Sequence, residues 1–235
     1  MGTGGDNHTM NDDPAGMIPD GAPDPDAIDE ALADYERRLR LYRQSGDKTG
    51  EARTLNSLGL TYHARGDLDK ALAHYTASLT IRHEEKDGIG EAAVLYNIGL
   101  VHHARGELDQ ALAHYEKSLA AYQALSDRAG EAISHSRIGH VWRLRGDYVK
   151  ALSHYQRSLE IRQRVGDRRG AALMLWNIGD VCERLECLDE AEGALDDALA
   201  LYESMGLPEA AQLREALGLV RRRLAASGRG PESPK

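Results

Sequence analysis

Apolar residues recur at helical spacing in two successive blocks, and this double block is repeated along the chain. In one copy, Leu55, Leu58 and Tyr62 mark the first block, and Ala71 and Tyr75 mark the second. Steps of three and four residues place the apolar side chains of each block on one face of a helix. The pattern therefore predicts units of two amphipathic helices, which are antiparallel because the turn between them is short.

The units recur every 40 residues, and residues 90–115 return nearly letter for letter forty residues earlier and forty residues later. A fixed period of this size predicts a solenoid, in which each unit packs on its neighbours. Four columns hold the period throughout: a linking glycine, a glycine in the first helix, and an alanine and a leucine in the second (Gly50, Gly90, Gly130, Gly170; Gly59, Gly99, Gly139, Gly179; Ala71, Ala111, Ala151, Ala191; Leu79, Leu119, Leu159, Leu199).

The turn inside each of the first three complete units reads Arg-Gly-acid, as in Arg65, Gly66 and Asp67. Glycine readily adopts the left-handed conformation that ends a helix. The acid that follows is expected to cap or charge the start of the second helix.

These residues carry a resemblance to a known family. Leu55-x2-Leu58-Gly59-x2-Tyr62 followed by Ala71-x3-Tyr75 is similar to the tetratricopeptide repeat (TPR) pattern W-x2-L-G-x2-Y with A-x3-F. The unit is longer than the usual length of about 34 residues, and it has neither the tryptophan nor the boundary proline. This longer unit resembles those of Pins-type adaptors and of bacterial Rap-type and regulator-associated sensors. The resemblance covers residues 28–224 and implies an all-α, right-handed superhelical solenoid of antiparallel helix pairs.

The pattern divides the chain into five segments. Residues 1–26 hold six acids, no Lys or Arg and four of the seven prolines, so this leader is expected to be disordered. Residues 27–50 match the second helix of a unit, without a first helix before it. Four complete units occupy residues 51–206. A capping helix is expected over 207–226, followed by a disordered tail over 227–235.

The fourth unit is the least regular. Glu186 replaces the turn glycine, and Glu192 replaces a leucine of the second helix. Such departures are typical of a boundary repeat. Pro208 suits the first residue of the capping helix that follows.

Composition narrows the function. The net charge is −9, and the leader supplies six of these negative charges, so the repeats are too balanced for a nucleic-acid surface. Arg221 to Arg223 form the only basic run, which we interpret as cations at a helix C-terminus rather than a nucleic-acid contact. The sequence shows neither a membrane-spanning stretch nor a secretory signal, so we expect a cytoplasmic protein without membrane contact.

The sequence offers no chemistry of its own. Cys182 and Cys187 do not form a CxxC pair, and neither a phosphate-binding loop nor an HExxH motif is present. His74, His114 and His154 share one column and are expected to be structural or solvated. We therefore expect no metal, no cofactor and no enzymatic activity.

The resemblance also implies a binding surface, because the first helices of TPR arrays line the concave groove. Asn97 and Asn177 stand in the column where such arrays often hold a peptide backbone with an asparagine amide. Tyr96 and Trp176 are either exposed aromatic anchors or residues packed between helices. The candidate site is Arg53, Asn56, His63, Tyr96, Asn97, His103, Arg137, His140, Arg143, Trp176, Asn177 and Asp180.

Three functions fit this surface. The preferred interpretation is a non-catalytic scaffold or adaptor that binds a peptide or helix of a partner protein, and the basic middle of the groove favours an acidic segment. The alternative is a regulatory sensor module that controls a partner enzyme or transcription factor. A remote alternative is an enzyme that uses the groove as its active site.

Overall fold

A computed structural model describes residues 25–227, and every regular element in that range is an α-helix. The prediction of an all-α fold is confirmed. The helices are α1 (Pro25–Ser45), α2 (Lys48–Ala64), α3 (Leu68–Glu84), α4 (Gly88–Ala104), α5 (Leu108–Ala124), α6 (Arg128–Leu144), α7 (Tyr148–Val165), α8 (Arg168–Arg184), α9 (Leu188–Ser204) and α10 (Ala210–Ala226).

The described chain divides into two compact units at Asp87 and Gly88. The first unit contains α1 and the pair α2/α3. The second contains the pairs α4/α5, α6/α7 and α8/α9, followed by α10. Each pair is one 40-residue repeat, and within the second unit each helix packs on the helix that follows it.

Left-handed residues end the first helix of each repeat. Gly66, Gly106 and Gly146 have φ values of 85°, 75° and 78°, as the sequence predicts. In the fourth repeat Glu186 adopts the same conformation with φ 59°. A residue with a side chain is strained in this conformation, which glycine adopts freely. Among these four turns, only that of the fourth repeat therefore lacks the favoured glycine.

The capping acids stand mainly at the links between repeats, so of the two alternatives predicted for the turn acids, capping holds at only one of three. Neither Asp67 nor Glu107 makes a side-chain cap, and among the turn acids only Asp147 does so. Asp127 instead accepts a hydrogen bond from the backbone N–H of Gly130 at 3.0 Å. Equivalent linking acids cap α2 and α8. Capping of this kind stabilises a helix by about 1 kcal/mol.

The glycine inside the first helix is required by close packing. A Cβ added to Gly99 would lie 2.6 Å from the ring of Tyr115. The same arrangement pairs Gly59 with Tyr75 in the first unit. The ring therefore lies directly on the helix backbone, and this contact explains why the first-helix glycine and Ala-x3-Tyr occur together in the first three complete repeats. In the fourth repeat Leu195 takes the place of the tyrosine against Gly179.

A buried serine joins the two helices of the first three complete repeats. Ser78, Ser118 and Ser158 are fully buried, and each donates a hydrogen bond to a first-helix carbonyl 26 residues earlier in the chain. The Ser118 hydroxyl lies 2.9 Å from the carbonyl oxygen of Ala92. The next residue, Leu119, is only partly buried. A polar column therefore occupies the innermost position of this seam.

Ion pairs link neighbouring repeats at the turns. Arg145 pairs with Asp109 of the preceding repeat, and Arg65 pairs with Asp29 at 3.0 Å. Each pair is separated by 36 residues. In the fourth repeat the corresponding positions hold Leu185 and Val149, which cannot form an ion pair.

The irregular acids of the fourth repeat are partners of the capping helix. Arg221 bonds Glu192 at 2.6 Å, and Arg223 bonds Glu186 at 2.7 Å. The basic run lies near the end of α10, with Arg223 in its last turn as the sequence predicts, and two of its arginines also pair with acids of the fourth repeat. α10 begins at Ala210, slightly later than predicted.

The predicted tails lie almost wholly outside the described residues. α1 already includes Pro25 and Asp26, which the sequence assigned to the leader, while residues 1–24 and 228–235 are not described. Between residues 25 and 227, no helix combines the length and apolarity needed to span a bilayer.

Candidate peptide-binding surface

Nine of the twelve candidate residues lie on α4, α6 and α8, the first helices of the three repeats in the second unit. The first-helix surface, as we call it, consists of Tyr96, Asn97 and His103 on α4, Arg137, His140 and Arg143 on α6, and Trp176, Asn177 and Asp180 on α8. The remaining three lie on α2 of the first unit, where Arg53 is exposed and Asn56 and His63 are partly exposed.

Arg137 is held in place by an aromatic neighbour. Its Nε donates a hydrogen bond to the Tyr96 hydroxyl of α4 at 3.0 Å, and the two residues are 8% and 6% exposed. The Tyr96 ring also packs on Tyr115 at 5.7 Å between ring centres. Tyr96 is therefore packed between helices and does not project as an anchor. Its hydroxyl holds the guanidinium of Arg137 through this hydrogen bond.

Two histidines extend the contact between α4 and α6. The rings of His103 and His140 meet edge to face with 5.1 Å between their centres. His140 is buried, whereas His103 is partly exposed. The contact brings two titratable side chains of neighbouring first helices together.

The acidic end of the surface is largely compensated by arginines. Asp180 lies 3.6 Å from Arg143 of α6 and 3.3 Å from Arg184 of its own helix. Asp180 is also the main reason that the pKa of Arg184 is raised. The neighbouring Glu183 bonds Arg223 of α10 at 2.7 Å. The sequence did not predict the contact of Glu183 with Arg223, because 40 residues separate them in the chain. The pair of Asp180 and Arg184 was predictable, because residues four apart are neighbours on a helix.

The remaining aromatic and amide residues differ in access. Trp176 is partly exposed, and its ring meets Tyr202 of α9 edge to face at 6.0 Å. Asn97 is buried, while its counterpart Asn177 is partly exposed. Of the two amides, Asn177 therefore offers its donor and acceptor more readily to a ligand.

Behind this surface, α6 and α7 are joined by a second histidine pair. The Nδ1 atoms of His135 and His154 lie 3.0 Å apart, so one ring donates and the other accepts a hydrogen bond. Burial lowers the pKa of both histidines. The charges of His135 and Arg157 lower that of His154 further, to about 4. The pair is thus neutral near pH 7. Among residues 25–227, no three His, Cys, Asp or Glu side chains are grouped to hold a metal ion.

Solved structures share this arrangement of helices. BtubC (BKLC) from P. vanneervenii superposes with a TM-score of 0.67 and 16% identity, over 89% of this chain and 95% of that chain. Apo RapI gives a TM-score of 0.70 and 16% identity over 87% of this chain, which spans 62% of the RapI chain. A Rap protein complexed with Competence and Sporulation Factor gives 0.61 and 16%, with the same coverage of both chains.

At the level of sequence, no curated protein matches the chain. The family pattern described as Tetratricopeptide repeat matches residues 27–84, 90–164 and 130–204. These matches cover most of the chain, and they coincide with the helix pairs that the structure contains. The chain belongs to the tetratricopeptide repeat family.

Proposed function

We propose that the chain is a non-catalytic protein-interaction scaffold that binds a peptide or helix of a partner protein on the first-helix surface. The main observation in support is the fixed guanidinium of Arg137, bonded to Tyr96 beside the contact of His103 and His140. A charged group held in advance loses little freedom when a ligand binds it. Arginine and aromatic residues also dominate the energy of many interfaces.

The partner segment that this surface fits is acidic. Arg137 and Arg143 lie six residues apart on α6, and Arg143 is the more accessible of the two, because it is partly exposed whereas Arg137 is buried. The contact between Arg143 and Asp180 is long at 3.6 Å, so a carboxylate of the partner can compete for this guanidinium. Trp176 and Asn177 on α8 would add an aromatic contact and a backbone-binding amide.

Partners are first isolated from native cell extract with the full-length chain and identified by mass spectrometry, and each purified candidate is then titrated by calorimetry. Arg143→Glu with Asn177→Ala should weaken binding by about 1–3 kcal/mol, because attraction becomes repulsion and an amide is lost. Arg137 is left intact, since a carboxylate at this buried position would destabilise the fold.

The matched control is Lys117→Glu with Arg157→Glu, two exposed cations on the second helices α5 and α7. Circular dichroism confirms that each variant is folded. If the control pair weakens binding as much as the first-helix pair, or if the first-helix pair changes nothing, the partner binds elsewhere and the proposal is wrong.

The likeness to Rap proteins favours a second candidate, the regulatory sensor. One Rap structure with this fold contains Competence and Sporulation Factor, and another neighbour is aspartyl phosphate phosphatase F from Bacillus subtilis. In a sensor, ligand binding must change the affinity for a second protein, and reciprocally. A partner whose affinity changes more than tenfold with a second ligand would favour the sensor over the plain scaffold.

A further inference from the structure

Both cysteines of the chain lie at the turn of the fourth repeat. Cys182 is buried in the last turn of α8, and Cys187 is exposed at the residue before α9. The earlier complete repeats hold an aromatic ring and an acid in these two columns (Tyr62 and Asp67; His102 and Glu107; Trp142 and Asp147). Both columns therefore change to cysteine in the same repeat.

The backbone of the turn brings these two columns together. In each complete repeat the backbone N–H of the second residue donates a hydrogen bond to the carbonyl oxygen of the first, and the nitrogen of Cys187 lies 2.9 Å from the oxygen of Cys182. With standard backbone bond lengths, this contact limits the distance between the two Cα atoms to about 7 Å or less. Disulfides join Cα atoms that are about 4.4–6.8 Å apart. The turn therefore holds the two cysteines at a separation that suits a disulfide.

The side chains of the two columns also point toward each other. In the second repeat, the Nδ1 atom of His102 lies 2.5 Å from a carboxylate oxygen of Glu107. Turns with this bonding pattern and a left-handed residue often bring the side chains of their two end residues into contact. The pKa of Cys182 is raised to about 11, chiefly by burial and in part by the charge of Cys187. The two thiols are therefore close enough to affect each other.

The two thiols differ in access to solvent. The Sγ atom of Cys187 is exposed and makes only a weak contact of 3.7 Å with the carbonyl oxygen of Leu185. Cys182 is 4% exposed, so it reacts only when the turn opens. Glu186 between them is strained in the left-handed conformation, and this strain favours opening of the turn. A soluble reagent therefore meets Cys187 first.

We propose that Cys187 is a site of reversible modification by a low-molecular-weight disulfide, and that Cys182 is the resolving thiol that converts the adduct into an internal disulfide. In the first step the Cys187 thiolate attacks one sulfur of the reagent. The bond between the two reagent sulfurs breaks, and the released thiolate takes up the proton that Cys187 lost.

In the second step the Cys182 thiolate attacks the Sγ atom of Cys187. The internal disulfide forms, and the second reagent thiolate leaves and takes up the proton of Cys182. The two cysteines together lose two electrons, and the reagent disulfide is reduced to two thiols. The ring that closes is short and one of its sulfurs is exposed, so an excess of thiol should reverse the reaction.

Mass spectrometry of the full-length chain tests this proposal. The reduced chain is treated with 2-hydroxyethyl disulfide, the remaining thiols are alkylated, and the intact mass is measured. The reagent is neutral because Glu186, Asp189 and Glu190 place acids near Cys187 in the chain. The wild-type chain should lose two hydrogens, take up no alkylating agent, and return to the reduced mass in excess dithiothreitol.

Serine variants separate the two roles, and circular dichroism confirms that each is folded. Cys182→Ser should keep the reagent as a mixed disulfide at Cys187, because the resolving thiol is gone. Cys187→Ser should react roughly tenfold more slowly than wild type, because only the buried thiol remains. The proposal is wrong if wild type does not react, if it keeps the mixed disulfide as long as Cys182→Ser does, or if Cys187→Ser reacts as fast as wild type. A disulfide-linked dimer as the main product would also overturn it.

The same chain unfolded in urea is the control for the spacing of five residues alone. At equilibrium with mixtures of the reagent and its thiol, the folded chain should favour the internal disulfide roughly tenfold more than the unfolded chain does. Equal preference in both states would show that the turn does not bring the thiols together, and the proposal would fail.

Discussion

The contact between Gly99 and the Tyr115 ring makes a sharp test of the packing, because a single methyl group is added at a known place. In Gly99→Ala the new Cβ would lie 2.6 Å from two ring carbons of Tyr115. Ordinary contact needs about 3.5–4 Å, so the ring or the helix must move by roughly 1 Å. Overpacking of this kind costs about 1–3 kcal/mol, and the better helix propensity of alanine returns up to about 1 kcal/mol.

The matched control is Gly193→Ala in α9. This glycine is helical and exposed, and a Cβ there meets no atom within 4 Å. The same substitution should therefore stabilise the chain by about 0.5–1 kcal/mol. The same substitution should thus lower the free energy of unfolding at position 99 and raise it at position 193.

Urea unfolding followed by circular dichroism, with the thermal midpoint as a second measure, gives the free-energy difference from wild type. Repeat proteins can unfold in stages, so the comparison should use transitions of equal slope. In a Tyr115→Ala background, Gly99→Ala should cost at least 1 kcal/mol less, because the ring it meets is gone. If Gly99→Ala is as stable as Gly193→Ala, the ring does not lie on the helix backbone and the reasoning fails.

Ser118→Ala should destabilise by about 1–2 kcal/mol in urea unfolding, because the carbonyl of Ala92 loses its buried donor; no change would mean that the serine is dispensable. The pKa of His154 is lowered to about 4 in the folded chain, so as the pH falls the unfolded chain binds a proton at this group before the folded chain does. Stability should thus be full above pH 6.5 and fall by about 2 kcal/mol toward pH 4, a value reduced for the solvent screening of this partly exposed ring. His154→Gln, which can still bond His135, should flatten that slope, and an unchanged slope would exclude the pair. Arg223→Ala should lower the thermal midpoint modestly, more at low salt than at 1 M salt; equal effects would show that its ion pairs do not stabilise the cap.

The repeat length, the helix pairs and the left-handed glycines were predictable because they depend on local periodicity. The burial of the second helix could not be predicted in the same way, as Leu119 illustrates. Leu119 stands in one of the columns that hold the period, yet the adjacent Ser118 is the fully buried residue. The apolar pattern predicts that a serine lies on the surface. It does not indicate that the Ser118 hydroxyl donates a hydrogen bond to a carbonyl 26 residues earlier in the chain, which allows the serine to be buried.

The candidate surface was predictable by column but not by contact. The positions of Arg137 and Trp176 follow from the helical register alone. The packing of Tyr96 depends on its hydrogen bond with Arg137, which is 41 residues away in the chain and on another helix. The sequence gives no sign of such a contact. The ion pair of Arg145 and Asp109 left a sequence signal of another kind, because both of its columns change together in the fourth repeat.

The ion pairs between the capping helix and the fourth repeat restrict how this array can change in length by duplication or loss of units. Arg221 and Arg223 bond Glu192 and Glu186, and the earlier repeats hold Leu152 and Gly146 at those two positions. A cap joined directly to the third repeat would face an apolar side chain and a bare turn. We therefore expect α8, α9 and α10 to act as one terminal element, and a gain or loss of whole units upstream of Arg168 to leave these ion pairs intact.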